Sequence, residues 1–246
     1  MLERIHVAPF EASENETGWE TFSLDYHVTA PIDAIFTPEV KRIYLRLFGF
    51  LWKLKRAAHC LTDSGVPRRN ATRIKVPEMA AEIHRCFTTR HELSHFLSQL
   101  EFYLHFEVIE SSWIEFTSGI RQAADLDHLI QKHRAFLERI LLGTFLEEEG
   151  STATFTRICR CLDLAVQFQE QQALLFSAYD QEINRRAKFA TRVDSRTQHG
   201  QWGVTDEETQ QKTLPKASRD QFSLAAQKIA AITTEFKVSP AHRLSS

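Results

Sequence analysis

Two stretches decide how this chain folds: FEVIE at residues 106–110 with Trp113 after it, and DLDH at residues 125–128. Apolar residues precede the first stretch, and follow the second, at steps of three and four residues. That spacing is typical of amphipathic helices with one buried face. Neither stretch contains a plausible reaction centre, so the sequence predicts a helical protein in which surfaces matter more than a catalytic pocket.

The helix that leads to Trp113 is predicted to run from about Glu78 to Glu110. Its apolar stripe comprises Met79, Ile83, Phe87, Leu93, Leu97, Leu100, Leu104 and Val108, and it is widened by Phe96, Tyr103 and Phe106. A helix this apolar is expected to pack on more than one side. The sequence SWIE from Ser112 to Glu115 matches a capping box, which predicts that a short separate helix begins there.

Further helices follow from their start signals. One begins at Thr37-Pro38-Glu39, which combines a capping hydroxyl, a proline at the first helical position and an acid in the first turn. Asp125 is predicted to cap the next helix, and another runs from about Thr152 to Ala190. A second capping box at Ser218 introduces the last helix, whose apolar residues span 222–236.

The fold class predicted from these patterns is all-α: an elongated helical bundle of long amphipathic helices with a short N-terminal β-hairpin-like segment. Residues 22–28 alternate between apolar and polar side chains, and residues 5–8 are expected to pair with them. Residues 191–217 are polar and carry little periodicity, which predicts a flexible linker. The linker separates residues 1–190 from a terminal helix and tail at 218–246.

Composition excludes several classes of protein. The formal net charge of −2 argues against a general nucleic-acid binder, which needs a basic surface. No apolar run approaches the ~20 residues of a membrane span, so a soluble protein without membrane contact is expected. The four cysteines (Cys60, Cys86, Cys159 and Cys161) show no framework spacing, and reduced thiols of a cytosolic protein are predicted.

A zinc-hydrolase motif is the sharpest catalytic alternative. His91-Glu92-Leu93-Ser94-His95 matches H-E-x-x-H, in which two histidines on one helical face bind zinc and the glutamate acts as general base. Glu115 lies twenty residues past His95, where some zincins place a third ligand. Because the helix continues for about four turns beyond His95, Glu115 is carried away, and surface or core histidines are the preferred interpretation. No catalytic, cofactor-binding or metal residue is therefore assigned.

Other conspicuous residues are interpreted structurally. His133 lies on an apolar stripe and is predicted to be a hydrogen-bonded core histidine. Trp52, Trp113 and Tyr103 are predicted to be core residues, and the glutamine-rich run at 167–172 the solvated face of a helix. The basic stretch from Arg185 to Arg196 is interpreted as a charged helix end, with an acidic partner as the open alternative.

Several segments, in order along nearly the whole chain, carry a family resemblance. They are Gly18-Trp19 with FSLDYHV at 22–28, YLRLF and FLW at 44–52 with Lys55-Arg56, His95-Phe96 leading to FEVIE and Trp113, DLDHLI at 125–130 with His133 and Phe136-Leu137, and QWGVT at 201–205. Together they resemble the C-terminal half of the gamma-tubulin complex proteins, the ring subunits that hold gamma-tubulin and template microtubules. The segments at 22–28 and 201–205 look like one particular member of that family.

The resemblance implies an all-helical domain, often called the second GRIP domain, that binds gamma-tubulin. Residues 1–190 would be part of this domain and residues 218–246 its truncated end, because the chain lacks the family's N-terminal half and its closing segment. A fragment of a longer protein is therefore expected.

The resemblance also implies a structural role. The expected partners are gamma-tubulin, component 2 and the larger ring subunits, without cofactor, enzyme activity, nucleic acid or membrane. The expected location is the cytoplasm and the microtubule-organising centre, at a centrosome or spindle pole, where the complex nucleates microtubules. A helical adaptor that assembles only with other ring subunits is a further alternative. No short motif encodes the contacts with gamma-tubulin, so partner-binding residues stay unassigned.

Overall fold

The structure is a computed structural model that describes residues 5–9, 19, 22–62, 76–146, 152–200 and 216–238. Two strands, β1 (Ile5–Pro9) and β2 (Phe22–Tyr26), are followed by a short 3₁₀ turn (Ile32–Ala34). The helices are α1 (Pro38–Thr62), α2 (Pro77–Phe102), a π-helical segment (Tyr103–Glu110), α3 (Ser111–Arg121), α4 (Leu126–Gly143), α5 (Thr152–Gln198) and α6 (Lys216–Val238). The predicted all-α class is confirmed.

Both strong helix-start signals act as predicted. The Thr37 hydroxyl accepts a hydrogen bond from the backbone N–H of Val40 at 3.4 Å, and Pro38 is the first residue of α1. The Asp125 carboxylate accepts a hydrogen bond from the N–H of His128 at 2.7 Å, with Asp125 itself in extended conformation. Each side chain satisfies an amide that the helix leaves unpaired at its first turn.

The predicted N-terminal hairpin is also confirmed. β1 and β2 are antiparallel, with Ile5 opposite Tyr26 and Pro9 opposite Phe22. The Phe22 ring lies 4.7 Å from Trp52 and 6.0 Å from Phe48 on α1. A two-stranded hairpin is only marginally stable by itself, so these aromatic contacts with α1 hold it.

The chain divides into two compact units. The first comprises the described residues within 1–59 and 95–163, and the second those within 60–94 and 164–240. In the first unit α3 and α4 run antiparallel, since Trp113 packs edge-on against Phe136 and Gly119 faces Lys132. Its buried core includes Leu54, Leu97, Leu104, Val108, Leu137, Ile140, Ile158 and Leu162.

His133 is a hydrogen-bonded core histidine, as predicted. Only 4% of it is exposed, and its Nε2 lies 2.9 Å from the hydroxyl of Tyr44 on α1. The rings of Phe36 and Phe116 lie 5.3 and 5.6 Å away. Burial lowers the pKa of His133, so the neutral imidazole is the form that the core accepts.

In the second unit, residues of α2, α5 and α6 form the core. Its buried apolar side chains include Met79, Leu93, Phe168, Leu175, Phe222, Ile229 and Phe236. The hydroxyls of Thr89 and Thr233 lie 2.9 Å apart, and Thr233 donates to the carbonyl of Ile229, so Thr89 donates to Thr233. This chain of hydrogen bonds satisfies two hydroxyl groups at the contact between α2 and α6.

Several predicted boundaries are wrong. The capping box at Ser112 starts no helix, because Glu110 and Ser111 already have helical backbone angles and no side chain caps them. Ser218 likewise lies inside α6, which begins at Lys216. α5 does not end near Ala190 but continues to Gln198, so residues 191–198 of the predicted linker are helical. The remainder of that linker, at 201–215, lies outside the described residues.

The predicted solvated face at 167–172 is wrong at two of its residues. Phe168 is fully buried, and Gln172, one helical turn further on, is 1% exposed. Both amide atoms of Gln172 are buried without a hydrogen-bond partner in the described part of the chain. Because residues four apart share a helical face, the burial of Phe168 carries Gln172 into the core.

None of the helices within the described ranges combines the length and the apolar run that crossing a bilayer takes.

Candidate protein-binding surface

In the first unit, a π-helical segment joins the C-terminal part of α2 to α3, so the backbone is helical without a break through residues 95–121, and we call this stretch the rod. Residues 103–110 form this segment, and at its end the N–H of Ser111 bonds to the carbonyl of Phe106, five residues back. A π-helix winds more widely than an α-helix, and such segments are usually single turns that are frequent at functional sites. The FEVIE stretch lies within this widened segment.

Among the exposed aromatic side chains on this rod, the three with the largest exposed fractions form what we call the aromatic ridge. They are Phe102 (54% exposed), Phe106 (53%) and Trp113 (52%). The ring centroids of Phe102 and Phe106 are 4.9 Å apart. The prediction that Trp113 is a core residue is wrong, although its edge contacts Phe136 on α4 at 6.0 Å. Phe106 likewise does not extend the buried stripe as predicted.

An apolar recess lies beside the ridge, in the first unit. Its volume is about 440 Å³, and its lining residues are Phe96, Gln99, Leu100, Phe102, Tyr103, Glu107, Phe145 and Ile158. Tyr103, predicted to be core, is exposed. The Tyr103 hydroxyl donates to the carbonyl of Gly143 at 3.2 Å, and its ring stacks on Phe145 with centroids 6.3 Å apart. Phe102 belongs to both features, so ridge and recess form one continuous surface.

Phe145 occupies a backbone conformation that favours glycine. Its φ is +59°, and it ends α4 in a Schellman motif: its N–H bonds to the carbonyl of Leu142 at 3.2 Å, and the N–H of Leu146 bonds to that of Leu141 at 3.0 Å. Glycine is the usual residue at this position, and a side chain there costs about 1–2 kcal/mol. The turn therefore holds a strained phenylalanine ring at the wall of the recess.

Gly143 brings the end of α4 against the π-helical segment. A Cβ added at Gly143 would lie 2.6 Å from Cγ1 of Val108, a distance that real contacts do not reach. The bare backbone thus permits a close approach that places both the Gly143 carbonyl beside Tyr103 and the Phe145 turn beside the recess.

Unpaired carboxylates flank this surface. Glu107 lines the recess, and Glu110 lines a second concavity that Phe102 also borders. Neither carboxylate has an ion-pair partner among the residues that the structure describes. Glu101 and Glu115, by contrast, are paired with Lys55 and Arg139. The surface therefore combines exposed aromatic rings with uncompensated negative charge.

No residue of the zinc motif lines the recess. His91 and His95 are exposed on α2. Glu115 has no capping role, because its carboxylate is paired with Arg139 of α4. In the described ranges no group of three or more His, Cys, Asp or Glu side chains could hold a metal ion.

The basic stretch that begins at Arg185 is engaged within its own unit. Arg185 and Arg186 both donate to the carboxylate of Glu182 at 2.6–2.7 Å, and Arg186 also reaches Glu78 at 3.1 Å. Glu182 is 1% exposed. Burial alone would raise the pKa of Glu182, but the two arginines outweigh it and lower that pKa. The two arginines thus neutralise a buried acid, so they are not a free basic surface.

Fold and surface together define a protein of the all-α class, with a short hairpin, that displays an aromatic, acid-flanked face. Comparison with known sequences gives the family. The chain matches the model "Gamma tubulin complex component C-terminal" over residues 1–242, so it belongs to the gamma-tubulin complex component family, in the C-terminal part of those proteins. The resemblance found in the sequence is thereby confirmed.

Individual relatives agree with the family assignment. The chain is 38% identical over 218 residues to gamma-tubulin complex component 3 of Homo sapiens and to its homolog in Xenopus laevis; each match covers 87% of this chain and 24% of the relative. It is 37% identical over 145 residues to the spindle pole body component alp6 of Schizosaccharomyces pombe, covering 57% of this chain and 17% of that protein. The chain spans about a quarter of the length of the first two relatives.

Proposed function

We propose that this chain is a gamma-tubulin-binding part of a structural subunit of the gamma-tubulin complex, and that it supports microtubule nucleation. The observation that carries the proposal is the family match over residues 1–242, which covers nearly the whole chain. The names of the relatives, gamma-tubulin complex component and spindle pole body component, point to the microtubule-organising centre as the place of action. The proposal assigns no catalytic role.

The exposed aromatic ridge supports a binding role. Phe102, Phe106 and Trp113 each keep about half of their surface in water, although burying a large apolar side chain is worth ~1.5–3 kcal/mol. Aromatic residues are enriched at the centres of protein interfaces and dominate binding energy there. A helical stretch carrying three such rings is suited to bind another macromolecule, and no group of described residues could hold a metal ion.

A binding assay with purified components tests the proposal. The chain is immobilised and incubated with purified gamma-tubulin, with and without EDTA. We expect saturable binding that EDTA leaves unchanged. Absence of binding by a folded chain would refute the proposal, and binding of purified component 2 without gamma-tubulin would support the adaptor alternative instead.

A further inference from the structure

We propose that α6 opens reversibly as a unit while α2 and α5 stay folded. The cause is a group of buried polar side chains that the closed helix keeps from water. They are Glu92, Gln171 and Gln172, and we call them the polar layer. This inference concerns the second unit and does not depend on the function proposed above.

The residues of the polar layer lie at one level of the second unit. Phe87 of α2 packs against Phe176 of α5 with ring centroids 5.6 Å apart. Nearer the start of α2, Glu78 accepts a hydrogen bond at 3.1 Å from Arg186, which lies further along α5, so the two helices run antiparallel. The polar-layer residue of α2 follows Phe87 by just over one turn, and those of α5 precede Phe176 by the same length. The three side chains therefore start from the same height.

The buried atoms of the polar layer have no hydrogen-bond partner in the described part of the chain. They are Oε2 of Glu92, Oε1 of Gln171, and both Nε2 and Oε1 of Gln172. The large majority of buried polar side-chain atoms in native proteins are paired, and an atom left unpaired costs the free energy of removing it from water. Renewed contact with water removes that cost, so the polar layer favours an open state.

Other buried polar residues of the second unit are paired. Thr89 shares a hydrogen bond with Thr233, and the carboxylate of Glu182 accepts hydrogen bonds from Arg185 and Arg186. The unpaired atoms are thus concentrated at one level and are not spread through the core. The free-energy cost falls on the contacts made at that level.

The last turn of α6 lies level with the polar layer. Oε1 of Glu92 pairs with Lys237 at 3.0 Å, and Thr89, earlier on α2, meets Thr233, earlier on α6, so these two helices run parallel. Phe236, next to Lys237, is fully buried. The ion pair holds this turn only weakly, because the Lys237 side chain is 50% exposed and pairs in water contribute little.

The division of the chain explains why α6 is the helix that leaves. α2 and α5 contribute residues to both units, whereas all described residues of α6 belong to the second unit. Moving α2 or α5 would therefore disturb both units, but α6 can leave by itself. Its contact is one narrow seam, with residues at alternating steps of three and four: Phe222, Ala225, Ile229, Ile232 and Phe236 are its buried apolar side chains.

Native-state hydrogen exchange, read by mass spectrometry of peptides, measures the opening of each helix. Amides in the middle of α6, at 225–232, are compared with those at 82–93 in α2 and at 168–182 in α5, so that fraying of helix ends does not enter. The exchange is followed in low concentrations of urea, because its urea dependence reports how much surface each opening exposes. The variant is Gln172→Met, and its matched control is Gln167→Met, at an exposed glutamine of the same helix.

In the wild type, we expect protection of the α6 amides to be lower than that of the α2 and α5 amides by roughly 10-fold or more, with a weaker urea dependence. Gln172→Met should raise protection in α6 by about 10- to 100-fold, because it removes two unpaired polar atoms from the closed state. Gln167→Met should change that protection by less than about twofold, since its side chain stays in water in both states.

Two results would overturn the inference. Equal protection and equal urea dependence in the three helices would mean that α6 opens only when the whole chain unfolds. Unchanged or lower protection of α6 in Gln172→Met would mean that the amide is hydrogen-bonded in the closed state, so that the polar layer does not drive opening. The measurements need no gamma-tubulin, so their outcome is independent of the binding assay for the proposed function.

Discussion

Replacement of Gly143 by alanine should destabilise the first unit, because no room exists for a methyl group. The added Cβ would lie 2.6 Å from Cγ1, 2.9 Å from Cγ2 and 3.3 Å from Cβ of Val108. Carbon atoms in contact prefer about 3.5–4.0 Å. Val108 is 5% exposed and β-branched, so it has few alternative rotamers and little space to move.

The size of the effect follows from two opposing contributions. Overpacking of a well-packed core costs about 1–3 kcal/mol. Alanine is a better helix former than glycine by up to about 1 kcal/mol in a helix interior, but Gly143 is the last residue of α4 and gains less. A net loss of about 1–2 kcal/mol is expected, which lowers the melting temperature of a chain this size by roughly 2–8 °C.

Two other glycines provide matched controls. A Cβ at Gly49, in the interior of α1, meets nothing within 4 Å, so Gly49→Ala should stabilise the chain by up to about 1 kcal/mol through helix propensity. A Cβ at Gly119 meets only the flexible side chain of Lys132, at 3.3 Å, and Gly119→Ala should be close to neutral. The stabilities of the three alanine variants should therefore rank in the order of the free space around each glycine.

A double-mutant cycle gives the decisive measurement. Urea unfolding, followed by far-UV circular dichroism, is compared for Gly143→Ala, Val108→Ala and the double variant. Because Val108→Ala removes both clashing methyl groups, the double variant should be more stable than the sum of the single effects predicts, with a coupling of about 1 kcal/mol or more. Additive effects, or a Gly143→Ala variant as stable as wild type, would contradict the close approach of α4 to the π-helical segment.

Three further predictions concern buried polar groups. Since burial lowers the pKa of His133, the unfolded chain binds the extra proton and stability should fall as pH drops below about 6.5; His133→Gln should flatten that dependence in melting curves taken between neutral and acid pH. Glu182→Gln should lower stability by roughly 1–3 kcal/mol in urea titrations, because it leaves two arginines without their carboxylate. Thr89→Val keeps the shape but removes the hydrogen bond to Thr233, and calorimetry should register a loss of about 1 kcal/mol.

Sequence patterns predicted a helix start correctly only where the backbone before the cap residue is not helical. Thr37 is followed by Pro38, and Asp125 follows the end of α3, so in both cases the cap residue begins a helix after non-helical backbone. Ser112 has the same motif, but the FEVIE stretch before it is already helical. A capping box needs extended backbone at its first residue, and that condition depends on the preceding residues as well as on the motif.

The polar composition of residues 191–198 led to a wrong prediction for the C-terminal end of α5. Residues 191–198 lack apolar periodicity and are exposed or half-exposed, which resembles a linker. Once a helix has formed, however, each added residue gains a backbone hydrogen bond without a new nucleation cost. A polar end can therefore continue a helix with no core to cover. The absence of periodicity predicted only that these residues have no buried face.

The candidate surface could not be predicted from periodicity, because two apolar stripes run along the same rod. Leu104 and Val108 form one and are buried, and Phe102 and Phe106 form the other and are exposed. Each pair has the same four-residue spacing, so the pattern favours a core role for both. The two stripes differ in their tertiary contacts. α4 approaches Val108 through Gly143 and covers the stripe of Leu104 and Val108, whereas the stripe of Phe102 and Phe106 stays exposed.

A surface that binds through aromatic rings must be made of the residues that also build cores, so its sequence pattern is that of a core. The additional evidence here is conformational. At Phe145, the positive φ places a large ring where glycine would be less strained, and no residue pattern marks such a position in advance, because the usual signal is the glycine itself. The family resemblance could therefore predict that the chain binds a partner, whereas the uncovered aromatic surface beside a strained turn is visible only in the structure.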